Sequence, residues 1–164
     1  MKQFTIGSLL IILSMFASGC SSSNKKSGNN QSKTQTTSTQ SNSGGLTAFQ
    51  KKNGIGPIKK KVKVGKLNPK LAQKGKEIFE TKCNSCHKLG QRYVGPDLKK
   101  VTSRRTPAYI MNMIMNPRGM THKNPTAKKL LGKFSTQMAD LSIQRDQARA
   151  ILEYLRSVNP DSSK

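Results

Sequence analysis

The sequence predicts an all-α domain of four or five helices over residues 68–160, with no sheet of consequence. Three observations predict it. Asn68-Pro69, Thr106-Pro107 and Asn124-Pro125 each set a capping side chain before a proline, the order in which helices begin. Leu71, Gly75, Ile78, Phe79 and Lys82 recur three and four apart, as do Ala148, Ile151, Leu152, Leu155 and Val158. No run of useful length alternates apolar and polar residues as a half-buried strand does.

Before that domain the chain changes character twice. Lys2 opens a short basic region, and residues 4–16 are largely apolar, the length of a signal-peptide core and too short to span a membrane comfortably. The following Ala17-Ser18-Gly19-Cys20 resembles the lipobox of bacterial lipoproteins, with Ala17 where Leu is usual. The resemblance implies a signal peptide over residues 1–19, lipidation at Cys20, and an extracytoplasmic domain held to a membrane. Residues 20–54 are mostly Ser, Asn, Gln, Thr, Gly and Lys, and are expected to form a disordered tether, because they bury too little to offset ordering entropy. A flexible chain from Cys20 to Asn68 would have a root-mean-square reach on the order of 40 Å. Residues 55–67 are basic, with scattered Ile and Val, and are expected to lie extended along the domain.

The helices follow in order. The first runs from Pro69 to about Lys82; Gly75 inside it costs about 1 kcal/mol against Ala, so it signals close contact with another helix. Thr106-Pro107 opens a helix to about Met115, closed by Asn116-Pro117. Asn124-Pro125 opens a shorter one through Leu130 and Leu131. Ser142 is placed to cap the last, which runs to about Ser157 with Tyr154 beside its apolar stripe, leaving residues 161–164 as a tail.

Between the first two helices stands Cys83-Asn84-Ser85-Cys86-His87. As C-x-x-C-H it reads as a c-type haem-attachment signal. Thiols three apart on a helical turn lie on neighbouring faces, so both reach the two vinyl groups of one porphyrin, and the next residue sets an imidazole beneath the iron. A thioredoxin-like motif would follow a strand, and none is predicted. A structural zinc site needs four ligands, and only Cys20 and His122 remain. Aromatic residues are 5% of the chain and Trp is absent, so a covalent macrocycle would supply much of the core.

With Gly75, Phe79 and Tyr154 added to that motif, residues 66–158 resemble the class I cytochrome c family. The resemblance implies a small fold in which the first helix crosses the last around one haem c, bound through Cys83 and Cys86 with His87 as proximal ligand. It implies that the carbonyl of Pro96, in Gly95-Pro96-Asp97-Leu98, accepts a hydrogen bond from His87 Nδ1. It places the sixth ligand at Met138, just before the last helix, where Gln137 stands in place of the family's frequent Pro. Among other candidates, Met111 and Met115 are one turn apart and suited to packing, Met113 points elsewhere, and His122 sits among surface residues. Met120, read as part of a Gly-containing loop, is the alternative sixth ligand.

The net charge is +23, from 30 Lys and Arg against seven acids, and residues 21–74 contain twelve Lys and no acid. Such a surface favours acidic redox proteins or anionic lipid and speeds encounter by steering. The export signal argues against nucleic acid, the usual alternative for a basic chain. The expected function is single-electron transfer between extracytoplasmic respiratory partners, without enzymatic turnover; Lys82, Lys88, Arg92, Lys99, Lys100, Arg104 and Arg105 stand near the motif to orient docking. Residues 54–155 also resemble small cytochromes found beside nitrous-oxide respiration, which implies nitrous-oxide reductase as a partner to test. The alternatives are a haem enzyme or gas sensor with an open or labile sixth site, and a structural lipoprotein without haem.

Overall fold

Seven helices make up the part of the chain that the computed structural model describes, residues 45–159 and 161. The signal segment, Cys20, the first part of the tether and the end of the tail lie outside those residues. In order, the helices are α1 Ala48–Asn53, α2 Pro69–Lys82, α3 Val101–Arg104, α4 Pro107–Met115, α5 Pro117–Lys123, α6 Pro125–Phe134 and α7 Arg145–Ser157. The all-α class holds among the described residues, and the helices beyond the expected number are short ones.

Four of the seven begin the same way. Asn68, Thr106, Asn116 and Asn124 each accept a backbone N–H through the side chain, and a proline occupies the first turn. The proline has no N–H to leave unpaired there, and its φ already suits a helix. Asn116 serves twice: it closes α4 and caps α5. The stretch after Asn116-Pro117 is therefore helical, not the loop expected around Met120.

Two further boundaries differ from expectation. Residues 47–54, assigned to the tether, hold α1, opened by a reciprocal capping box. Thr47 Oγ1 accepts from Gln50 N–H at 3.1 Å, and Gln50 Oε1 accepts from Thr47 N–H at 2.9 Å. The last helix is capped not by Ser142 but by Gln144, whose N–H donates to Gln147 Oε1 at 3.0 Å. Ser142 instead sits in left-handed backbone at φ 51°, turning the chain into α7.

The core is built on α2 crossing α7. A Cβ on Gly75 would fall on the carbonyl oxygen of Ala150 and within 3.0 Å of the Ile151 nitrogen, so the two backbones touch. Beside the crossing, the rings of Phe79 and Tyr154 pack with centroids 5.3 Å apart. Glu153, fully buried, ties the same junction: it accepts the Asn68 N–H at 2.9 Å and pairs with Arg149 and Arg156. Ile110, Met111 and Ile114 of α4 and Ile151, Leu152 and Leu155 of α7 fill the interior around Cys83.

Residues 55–67 form an extended strap with Val62 and Val64 toward this core. Asn112, buried in the middle of α4, holds the strap from below. Its Oδ1 accepts from Ile58 N–H at 2.9 Å, and its Nδ2 donates to the carbonyls of Asn53 and Ile58 at 3.0 and 3.1 Å. Asn116 and Asn124 bind the carbonyls of Ile55, Gln50 and Lys51 in the same way.

Candidate functional site

The C-terminus of α2 delivers the motif. Cys83 caps the helix, its N–H donating to Phe79 carbonyl at 2.8 Å, and the turn continues with Cys86 and His87 N–H both donating to Cys83 carbonyl at 3.1 and 2.9 Å. The three side chains therefore come from one tight turn anchored to the α2–α7 crossing. Both thiols are free; Cys83 is buried and Cys86 exposed. Burial pushes the Cys83 thiol up to about 11, partly opposed by Lys82.

The loop after the motif folds back on it. Gly95 N–H donates to Cys86 carbonyl at 2.8 Å, and Leu98 N–H to Lys88 carbonyl at 3.1 Å. Asp97 staples the loop: Oδ1 accepts the N–H groups of Gly90 and Lys99 at 2.6 and 2.8 Å. Its carbonyl accepts from Arg104 at 2.7 Å. Burial alone would raise Asp97, but these N–H groups with Arg104 and Lys99 hold its carboxyl below the usual value.

That fold-back sets the imidazole. Pro96 carbonyl lies 3.0 Å from His87 Nδ1. A Cβ on Gly95 would come within 2.5 Å of His87 Cε1, so glycine lets the backbone lie flat against the ring. Burial lowers His87, with the Pro96 bond pulling back toward the ordinary value, which favours the neutral ring. A neutral ring that donates from Nδ1 has its lone pair on Nε2, the atom a metal would take.

The donor set fits a covalent haem: two unpaired thiols three residues apart, then an imidazole whose other nitrogen is already engaged. A second observation agrees. Tyr109, 4% exposed, has a buried hydroxyl whose proton finds no acceptor among the described residues. Its ring lies 5.3 Å from the Arg105 guanidinium, next in sequence to the Arg104 that binds the Asp97 carbonyl. A carboxylate is the group that a phenol beside a guanidinium would satisfy, and a haem carries two.

The sulfur candidates separate clearly. Met111 is buried in the core, and Met115 packs against it. Met113 packs on a smaller cluster of Tyr109, Met120 and Ala127. Met120 is 0% exposed on α5, and its sulfur accepts the Ile55 N–H at 3.0 Å, so it is not free to bend toward iron as a loop residue would be. His122 is exposed. Met138 is half-buried in the irregular segment between α6 and α7. Its carbonyl accepts from Gln137 Nε2 at 3.1 Å, while Gln137 Oε1 accepts from the buried Thr121 hydroxyl at 2.8 Å. Gln137 thus moors this segment to α5 by hydrogen bonds, as a proline would stiffen it by ring closure. Thr121 was not singled out from the sequence; a Thr in a basic, polar stretch gives no signal of its own.

Comparisons with known proteins place these features in context. The family model described as "Cytochrome c" matches residues 72–159. A solved structure of cytochrome c from Rhodothermus marinus is 45% identical, with a TM-score of 0.63 over 66% of this chain and 94% of that one. An engineered cytochrome c from the same organism is 42% identical, with a TM-score of 0.64 over 70% of this chain and 97% of that one. The same engineered protein bound to a carbene intermediate gives 42% identity and a TM-score of 0.61 over the same shares. No curated protein matches the chain.

Proposed function

From the premise that this chain belongs to the cytochrome c family, which binds haem c covalently and serves haem-based electron transfer, we propose a mono-haem electron carrier with His87 and Met138 as axial ligands. The haem supplies a one-electron iron couple. The chain's part would be to hold and tune it: Cys83 and Cys86 would bind the macrocycle by thioethers, and the Pro96 carbonyl selects the His87 tautomer that leaves the Nε2 lone pair for the metal. Thr121 and Gln137 position Met138. A thioether from Met138 would favour the reduced metal and leave no position for a substrate, which suits outer-sphere electron transfer.

The observation that carries this reading is the 3.0 Å contact of His87 Nδ1 with Pro96, made in register with two free thiols on the preceding turn. Around this core the proposal extends to location and partners. Lipid at Cys20 holds the domain at a membrane outside the cytoplasm, and acidic oxidoreductases, nitrous-oxide reductase among those to test, give and take the electrons. No helix among the described residues is long and apolar enough to cross a membrane.

The mass of mature protein from an export- and maturation-competent host tests attachment and lipidation together. One added haem plus lipid is expected. A haem-free mass would overturn the carrier, and haem without lipid would remove only the anchor. A low-spin spectrum with a weak near-infrared Met-to-iron band is expected; a high-spin ferrous spectrum with rapid carbon monoxide binding would favour a catalytic or sensing haem.

A further inference from the structure

A cleft of about 510 Å³ opens between the strap and the start of α7, lined by Lys59, Lys60, Lys61, Val62, Arg145 and Arg149 with Pro57, Ile58 and Met111 at its base. None of these residues belongs to the motif at 83–87, the loop at 95–98 or the Met138 segment. Five cations and no carboxylate face the cleft. Arg149 is matched by Glu153, whereas Lys59, Lys60, Lys61 and Arg145 have no ion-pair partner among the described residues. Asp146, the nearest acid in sequence, is paired at 4.0 Å with Lys74 of α2.

We propose that this cleft is a docking groove for an extended acidic segment of a protein partner, built from residues outside the 83–87 motif, the 95–98 loop and the Met138 segment. The inference gives a surface to the acidic partners of the preceding reading and rests on it. Two features select a peptide over a lipid. First, the base is nearly sealed: Ile58 is 4% and Met111 2% exposed, so an acyl chain would find little apolar surface to cover. Second, no backbone hydrogen bond among the described residues engages the main chain of residues 59–64. An extended partner can pair with those free N–H and C=O groups while its carboxylates meet the lysines and Arg145. Docking here would engage none of the residues of the 83–87 motif, the 95–98 loop or the Met138 segment, so holding a partner and holding the haem would fall to different residues.

The test uses the full-chain, ¹⁵N-labelled holo-protein and a blocked octapeptide, Glu-Val-Glu-Thr-Glu-Val-Glu-Thr. Amide shifts are expected at residues 59–62, 145 and 149, with affinity falling about fivefold between 50 and 200 mM salt. The combined Lys59→Gln, Lys60→Gln and Lys61→Gln variant should bind at least tenfold more weakly, and the matching Lys→Arg variant should restore binding. These side chains are exposed, so the fold should survive, and an unchanged haem spectrum checks it. Shifts centred on residues 83–98, equal affinity in the Gln variant, or binding to phosphatidylglycerol vesicles in place of the peptide would each overturn the proposal. Reduction by a small neutral reductant reads the carrier function separately: normal reduction without peptide binding rejects the groove alone, and peptide binding without reduction rejects the carrier alone.

Discussion

Replacing Gly75 with Ala puts one methyl group where two helices already touch. In an ordinary helix interior the change would stabilise by about 1 kcal/mol. Here the new Cβ lands on the Ala150 carbonyl and within 3.0 Å of the Ile151 nitrogen, and backbone cannot rotate aside as a side chain can. The axes must separate, and overpacking of this kind costs about 1–3 kcal/mol, toward the upper end when backbone opposes backbone. Separation also loosens the Phe79–Tyr154 pair at 5.3 Å, worth about 1 kcal/mol beyond burial. The net expectation is a loss of about 3 kcal/mol. Guanidinium unfolding of the holo-protein, followed by far-ultraviolet circular dichroism, measures it, since the covalent haem stays with both states. Gly132 on α6 meets nothing within 4 Å, so Gly132→Ala is the control and should gain about 0.5–1 kcal/mol. If Gly75→Ala matched Gly132→Ala, the α2–α7 contact would not be what holds the domain.

Four other substitutions have expected outcomes. Burial alone would raise Glu153, but the Asn68 N–H, Arg149 and Arg156 outweigh it and hold the carboxylate low. The stability this contributes is therefore present above the unfolded carboxyl value and lost as pH falls through the folded one. Glu153→Gln should cost about 2–3 kcal/mol at pH 7 and flatten the loss of stability below about pH 5, read from urea midpoints against pH; an unchanged acid limb would contradict this. Met138→Ala should abolish the near-infrared band and lower the reduction potential, whereas Met120→Ala should keep the band and lose stability, because its sulfur serves Ile55. For Tyr109→Phe a loss of about 1–2 kcal/mol is expected in the holo-protein, the cost of removing a phenol that a carboxylate engages, and no loss or a gain would argue against that contact.

The long helices and the motif were legible because their signals are local. A cap followed by proline, an apolar stripe and C-x-x-C-H each fit within one or two turns. What was missed depends on distant partners. Asn116-Pro117 signals an end and a start equally, and only packing of Met120 under the strap at Ile55 makes it both. Thr47-Ala48-Phe49-Gln50 carries a capping-box pattern, but the surrounding Lys and polar residues hid it, and α1 needs the amide of Asn124 to stay docked. Ser142 is a good cap in isolation; the turn at φ 51° moves the helix start to Gln144. Asn112 did leave a trace, a polar residue in the middle of Tyr109-Ile110-Met111-Asn112-Met113-Ile114-Met115. A buried amide there demands several partners, which the strap supplies.

The two sides of the proposed metal site are therefore held by different parts of the chain. Cys83, Cys86 and His87 hang from the end of α2, and their position follows the Gly75 crossing and the Glu153 junction with α7. Met138 hangs from Gln137 and Thr121, and its position follows α5, which the strap clamps through Ile55 and Met120. Contacts that share no partner act nearly additively. Loosening Gln137 should then disturb the sixth ligand while leaving thioether attachment intact, and loosening Gly75 should do the reverse. On the proposed ligation, this division would let the loop side of the site tune the potential without endangering the covalent side that would keep the haem in place.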